Sequence, residues 1–327
     1  MQTQAELQYV EAIKAVESPD TSPEERAEML MEIAMGLQSK PKSSDQLRDA
    51  VTLYLRALNE LPESAVLLQA RIRARMGTAM QAIPDGGNVT LRQACECYES
   101  VLPILYSQGK PEEAAEVELN LGLAIQGLST LGAGLIQDAI QCYHRALRVF
   151  TKEAYPQEFA VLHNNLAIVY LSLPATDERG KMREALAVQS FEEVLKVINL
   201  IDHPTEYAMI QNNLGNALQY ASSSHALDNN LRALDAYDEA LKVRNPRDTP
   251  VEYANTIANK ANVLHNLPAD AIDDAGQLAH NQAIELYREA IALFAKFGLH
   301  DRAEMLSTNL AEIELEHSRT PKDNIVH

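Results

Sequence analysis

The chain has 327 residues, of which 46% are hydrophobic and 23% charged, close to an average soluble protein. Its 5 Phe, 12 Tyr and no Trp are a thin aromatic supply for a sheet-rich core, whereas its abundant Ala, Leu, Glu and Gln favour helix. The formal net charge of −18 argues against DNA or RNA as partners, because those backbones reward clustered Lys and Arg.

The cysteines and the hydropathy pattern bear on the compartment. Cys95, Cys97 and Cys142 cannot make a disulfide framework, and no stretch approaches the roughly 20 apolar residues that span a bilayer. The first 18 residues are amphipathic and lack the charge and hydrophobicity order of a signal peptide. We therefore expect a cytoplasmic protein with no membrane partner.

One helical pattern recurs along the whole chain. It consists of Ala, an apolar residue, an aromatic residue three positions later, and then a small and an aliphatic residue, all on one helical stripe. A weak copy opens the chain at Ala5, Tyr9, Ala12 and Ile13. Stronger copies lie at residues 50–58, 94–102, 139–147, 187–195, 233–241 and 283–291. We call this helix B.

A second pattern alternates with the first and ends on a small residue. Its clearest copies are residues 120–122, 165–167, 213–215, 259–261 and 309–311, each beginning with Asn, and degenerate copies begin at Glu32 and Arg75. A recurring Gly or Ala inside a helix predicts close contact with a neighbouring helix. We call this helix A, and prolines with a following carboxylate predict its starts at Pro23, Pro111, Pro156, Pro204 and Pro250.

The spacing of the two patterns separates a strict turn from a variable one. From the first Ala of helix B to the small residue of the next helix A the distance is 27 or 28 residues, whereas the return distance varies from 16 to 22. Length variation is thus confined to the turns from A to B, at residues 40–44, 84–87, 173–177 and 222–224, which are rich in turn formers.

These patterns resemble the tetratricopeptide repeat family, over nearly the whole chain. The repeats are longer than the usual period of about 34 residues, and in this they look like kinesin light chain type repeats. They also lack the usual Trp of helix A. The resemblance implies a right-handed α-solenoid of about 14 antiparallel paired helices. We predict an N-terminal half-repeat at 1–20, six repeats at 21–298, a capping helix at 299–317 and a flexible tail at 318–327.

The resemblance also implies that helix A lines the concave face, which makes its asparagines candidate ligands for an extended peptide. An Asn amide can bind both the N–H and the C=O of a peptide backbone. We call Asn120, Asn165, Asn213, Asn259 and Asn309 the asparagine row, and Asn164, Asn212, Asn216 and Asn262 lie beside it. The alternative is that these amides satisfy groups between adjacent helices.

Charged residues replace asparagine at the N-terminal end of the row. Arg71 and Arg75 lie on one face of their helix and either pair with Glu28 and Glu32 of the preceding helix A or receive a carboxylate of a peptide. Both interpretations remain open at the level of sequence.

No motif for catalysis is found. A phosphate-binding loop, a nucleophile elbow and a zinc-binding His pair are missing from the sequence, and the three cysteines take core positions. We predict a non-enzyme without metal or cofactor, a protein-binding scaffold or adaptor that is monomeric. The alternatives are an assembly chaperone that holds a folded subunit of a larger enzyme complex and a self-associating structural module.

Overall fold

The computed structural model describes residues 21–173, 178–221, 225–267 and 273–319, with the backbone alone at 273–278 and 316–319. These residues form thirteen α-helices and no strand, which confirms the all-α prediction; the half-repeat expected at 1–20 lies outside them. The helices are α1 (Pro23–Ser39), α2 (Ser44–Glu60), α3 (Val66–Gln81), α4 (Gly87–Gln108), α5 (Pro111–Thr130), α6 (Ile136–Ala146), α7 (Pro156–Ser172), α8 (Glu178–Leu195), α9 (Pro204–Tyr220), α10 (Ala226–Leu241), α11 (Pro250–His265), α12 (Asp273–Lys296) and α13 (His300–Arg319).

The chain divides into two compact units, residues 1–165 and 166–327, with the boundary inside α7. The odd-numbered helices are helix A and the even-numbered ones helix B. Within each unit a helix A packs on the helix B that follows it, and that helix B packs on the next helix A. Successive A helices also touch directly, α1 with α3 and α3 with α5 in the first unit and α9 with α11 in the second.

The predicted helix starts are confirmed at all five prolines. Proline fits the first turn because its missing N–H has no partner there. At α1 a capping box adds to this signal, since the Ser22 hydroxyl accepts from the N–H of Glu25 and the Glu25 carboxylate accepts from the N–H of Ser22. The hydrogen bond to Ser22 lowers the pKa of Glu25.

The small residue of helix A lies against the aromatic ring of the following helix B. A Cβ added to Gly77 would stand 2.8 Å from Tyr98 Cε1, and one added to Gly215 would stand 2.5 Å from Tyr237 Cε1. Gly122 is at least as close to Tyr143. These distances are shorter than real carbon contacts of about 3.5 Å, so the predicted close approach of A and B is confirmed.

Four buried tyrosines of helix B donate their hydroxyl to helix A at one common position. The acceptor is a Gln four residues after the small residue, and the pairs are Tyr54 with Gln38 at 2.8 Å, Tyr98 with Gln81 at 2.9 Å, Tyr143 with Gln126 at 2.9 Å and Tyr237 with Gln219 at 3.1 Å. Where helix B carries Phe191, which has no hydroxyl, the Gln position holds Leu171. In these five repeats the ring and the residue at the Gln position change together, whereas in the repeat of Tyr287 that position holds His265 and the tyrosine donates to Asn262 instead.

The strict turn from helix B to helix A is built around a capping side chain in three repeats. Thr151, Asn199 and Asn245 stand at the same place, and the backbone carbonyl of each accepts from the N–H four residues later. Their side-chain oxygens accept from N–H groups inside the turn: Thr151 from Ala154, Asn199 from Ile201 and Asp202, and Asn245 from Arg247 and Asp248. This closed turn accounts for the constant spacing there.

The turns from helix A to helix B differ in length, as predicted. Residues 40–43 join α1 to α2, and residues 82–86 join α3 to α4. The predicted turn residues 174–177 and 222–224 lie outside the described residues.

Candidate functional site

Three successive A helices of the first unit enclose a groove. Its cavity volume is about 170 Å³, and its apolar floor consists of Met31 and Met35 from α1, Ala74 from α3, Leu105 from α4 and Val117 from α5. The polar lining comes from Glu32, Arg71, Arg75, Thr78, Glu113, Glu116 and Asn120. The groove thus brings three sequence-predicted site residues, Arg71, Arg75 and Asn120, to one place.

Both arginines of the groove pair with the following helix A. Arg71 Nε and Nη2 donate to the Glu113 carboxylate at 2.7 and 3.2 Å, and Arg75 Nη1 donates to Glu116 at 3.2 Å. The guanidinium of Arg71 lowers the pKa of Glu113. The Arg71 guanidinium therefore donates through two of its nitrogens, and the Arg75 guanidinium donates through one.

The expected ion pairs of the two arginines with Glu28 and Glu32 of the preceding helix A are thus wrong, because both arginines pair with the following helix A instead. Both glutamates are exposed, and Glu28 acts on Arg71 only through its charge. The reason is geometric: Glu113, at the start of α5, accepts from two nitrogens of the Arg71 guanidinium, which is the bidentate arrangement that an Arg–carboxylate pair favours. The inter-repeat ion pairs exist, but they link α3 to α5.

Among the described residues, the predicted asparagines of the first unit have no hydrogen-bond partner. Asn120 is half-buried, and its amide makes no hydrogen bond with any described residue. Asn165 is 9% exposed and likewise unbonded within the described part of the chain. The side-chain oxygen of Asn164 is buried without a hydrogen-bond donor among the described residues.

In the second unit the asparagines divide into two groups. Asn259 Nδ2 donates to Asn212 Oδ1 at 3.3 Å, which joins two A helices. Asn216 accepts from the hydroxyl of Tyr237 at 2.7 Å, and Asn262 accepts from that of Tyr287 at 3.4 Å.

Two members of the asparagine row in the second unit make no side-chain hydrogen bond with the described residues. Asn213 is half-buried and Asn309 is exposed, and neither side chain is hydrogen-bonded among the described residues. Asn212, Asn216, Asn259 and Asn262 therefore link helices, whereas the amides of Asn120, Asn213 and Asn309 have no hydrogen-bond partner among the described residues.

Apolar side chains accompany these amides on the A helices of the second unit. Met209 and Met305 occur six residues before the small residue, and they are 41% and 58% exposed. Tyr220 is 67% exposed, and its hydroxyl accepts from Asn262 at 3.4 Å. Sequence reasoning missed these residues, although the common spacing of Met209 and Met305 from the small residue is visible in the sequence.

A buried carboxylate lies on the other side of α5. Glu118 is 2% exposed and accepts from Arg145 Nε and Nη2 at 2.6 and 2.8 Å and from the Tyr106 hydroxyl at 2.7 Å. Glu118 in turn raises the pKa of Arg145. This network satisfies the buried charge and joins α4, α5 and α6, so it is structural.

The cysteines are unsuited to thiolate chemistry. Burial raises the pKa of Cys95 to about 11 and that of Cys142 to about 12. The described residues contain no group of three His, Cys, Asp or Glu side chains that could hold a metal ion. Among the same residues, no helix combines the length and the apolar character that crossing a bilayer requires.

Comparison with known proteins shows the fold. No protein-family model and no curated protein matches the chain. Among solved structures, the chain is similar to a Signal Transduction ATPase with Numerous Domains (STAND) protein with a tetratricopeptide repeat sensor from Pyrococcus horikoshii, with a TM-score of 0.57 and 14% identity. The match covers 92% of this chain and 42% of that one, so the chain spans less than half of that protein. The chain therefore has a tetratricopeptide-like all-α fold of consecutive helix pairs.

Proposed function

We propose that the chain is a non-catalytic scaffold or adaptor that binds an extended segment of a partner protein on its A helices. The observation that carries this proposal is the groove of the first unit, where Arg75, Asn120 and Met35 lie around one cavity. Repeat arrays of this kind present extended surfaces for binding. The solved neighbour, whose repeats are named a sensor, is in keeping with an interaction role.

The available amides explain how a segment of variable sequence is bound. Each of Asn120, Asn213 and Asn309 offers two N–H donors and one acceptor, which match the C=O and N–H groups of an extended backbone. Recognition of that kind depends little on the ligand's side chains. We further propose that the repeats are of the kinesin light chain type and that the protein is cytoplasmic.

A peptide selection tests the proposal directly. A random peptide library displayed on phage is selected on the full chain, and the enriched peptides are synthesised with a fluorophore. Their Kd is measured by fluorescence anisotropy for wild type, Asn120→Ala and Asn213→Ala. Loss of one backbone hydrogen bond, about 1 kcal/mol, raises the Kd about fivefold in the variant whose unit binds the peptide.

Matched controls separate binding from a general effect of removing an amide. Asn88 on α4 and Asn230 on α10 belong to helix B of the two units, and Asn88→Ala and Asn230→Ala should leave the Kd unchanged. If no peptide is enriched, or if all four variants bind equally, groove binding is wrong. A folded client found by co-purification would then support the assembly chaperone, and a concentration-dependent mass the structural module.

A further inference from the structure

The groove between α1, α3 and α5 is lined by more negative than positive side chains. Two arginines and three glutamates line it. Arg71 is held by Glu113 and Arg75 by Glu116, which leaves Glu32 without an ion pair or hydrogen bond among the described residues. Glu32 is exposed, as is Glu28 one turn earlier on α1. The wall formed by α1 is therefore negative.

The pair of Arg75 and Glu116 also leaves acceptor capacity in the groove. Only Nη1 of Arg75 reaches Glu116, at Oε1, and the side chains are 42% and 49% exposed. An exposed, singly bonded pair contributes about 0.2–1 kcal/mol, so a second cation can share this carboxylate at little cost. Glu32 on α1 and Glu116 on α5 both line the cavity, on helices that lie on either side of α3.

The floor between these carboxylates is apolar and adaptable. Met31 and Met35 are half-buried, and Ala74 and Val117 complete the surface. Unbranched thioether side chains adjust to ligands of different shape. A ligand side chain that fills this space must be apolar, whereas the group next to it meets the carboxylates.

We propose that the occupant of this groove is an extended segment of a partner protein in which a Lys or Arg stands beside an apolar residue. The cation lies between Glu32 and Glu116, the apolar side chain rests on Met31 and Met35, and the Asn120 amide binds the backbone. The formal charge of −18 attracts such a segment from a distance. This inference rests on the proposed function and adds the chemistry of the ligand.

The test uses the peptides selected on the full chain together with a charge reversal. The peptides bound by wild type should carry Lys or Arg beside an apolar residue. Glu32→Lys should raise their Kd at least about tenfold, and peptides in which the Lys is replaced by Glu should bind this variant better than wild type. Glu32→Gln keeps the size of the side chain and should raise the Kd by a smaller factor.

Glu96→Lys is the matched control, because Glu96 is exposed on helix B α4, lies outside the groove and undergoes the same change of charge. It should leave the Kd unchanged, and helicity measured by circular dichroism confirms that each variant is folded. Peptides that bind without a basic residue, or equally well to wild type and Glu32→Lys, would overturn this inference and leave the proposed function intact. Failure to select any peptide overturns both.

Discussion

Replacing Gly215 by alanine tests the close packing of helix A on helix B. The new Cβ would lie 2.5 Å from Tyr237 Cε1 and 2.8 Å from Cζ, against ordinary carbon contacts of about 3.5 Å. Tyr237 cannot turn away, because it is completely buried and its hydroxyl donates to Asn216 and Gln219. The ring and α10 must therefore move together by about 1 Å.

Two terms of opposite sign set the expected change in the free energy of unfolding. Overpacking a well-filled core costs about 1–3 kcal/mol, while Ala in place of Gly within a helix contributes about 1 kcal/mol of stability. The net expectation for Gly215→Ala is a loss of roughly 0–2 kcal/mol. Gly36 on α1 is the control: an added Cβ meets nothing within 4 Å there, so Gly36→Ala should be stabilising.

Urea unfolding, monitored by circular dichroism, gives the sign of the change in the free energy of unfolding for both variants. Repeat arrays unfold in parts. In Gly215→Ala, hydrogen exchange measured by mass spectrometry should therefore show a loss of protection that is confined to α9, α10 and their neighbours. If Gly215→Ala stabilises the chain as much as Gly36→Ala, the close approach is not a constraint. The helices would then relax to the spacing of repeats that carry Ala, such as Ala261 against Tyr287.

Three further substitutions probe the polar contacts, each measured by urea unfolding. Tyr143→Phe removes only a hydroxyl donor and should cost about 1 kcal/mol; no loss would mean that the recurring bond to helix A is incidental. Arg145→Met leaves the buried Glu118 carboxylate without its cation and should cost about 3 kcal/mol, because an uncompensated buried charge is strongly destabilising; a loss no larger than that of Tyr143→Phe would contradict this. The pKa of Glu113 is lowered in the folded state, so Glu113 stabilises the fold at pH values above its ordinary pKa of 4.5, and this contribution disappears as the pH falls. Glu113→Gln should therefore be less stable than wild type at pH 7 and equally stable near pH 3. A difference in stability that does not change with pH would refute the ion pair with Arg71 as its cause.

The fold was largely predictable because its signals are local and repeated. Proline at the first helical position and the small residue of helix A depend on the chain's own backbone and nearest neighbour. The hydroxyl acceptors were visible too, since Gln38, Gln81 and Gln126 share one position, and the change to Leu171 opposite Phe191 could have identified them. They were missed because each Gln alone is an ordinary helix residue.

The site was less predictable because the partner of each polar side chain depends on how successive repeats are rotated against each other. For Arg71 the sequence offers carboxylates at similar places in both neighbouring A helices, and only the packing selects Glu113. The asparagines share one sequence signature but not one role. Whether an Asn amide is available or engaged depends on a tyrosine or a second Asn within reach, as Asn216 and Asn213 illustrate in adjacent turns of one helix.

The ion pairs of Arg71 and Arg75 give the first unit a mechanical property. Both tie α3 to α5, on the side of the stack where a segment would bind. Ion pairs between successive A helices resist motions that separate those helices. Because exposed ion pairs weaken as salt rises, the first unit should become easier to stretch at high ionic strength. In the proposed mode of binding, a cation that competes with Arg75 for Glu116 would loosen the same link, so occupancy of the groove should also make these repeats easier to stretch.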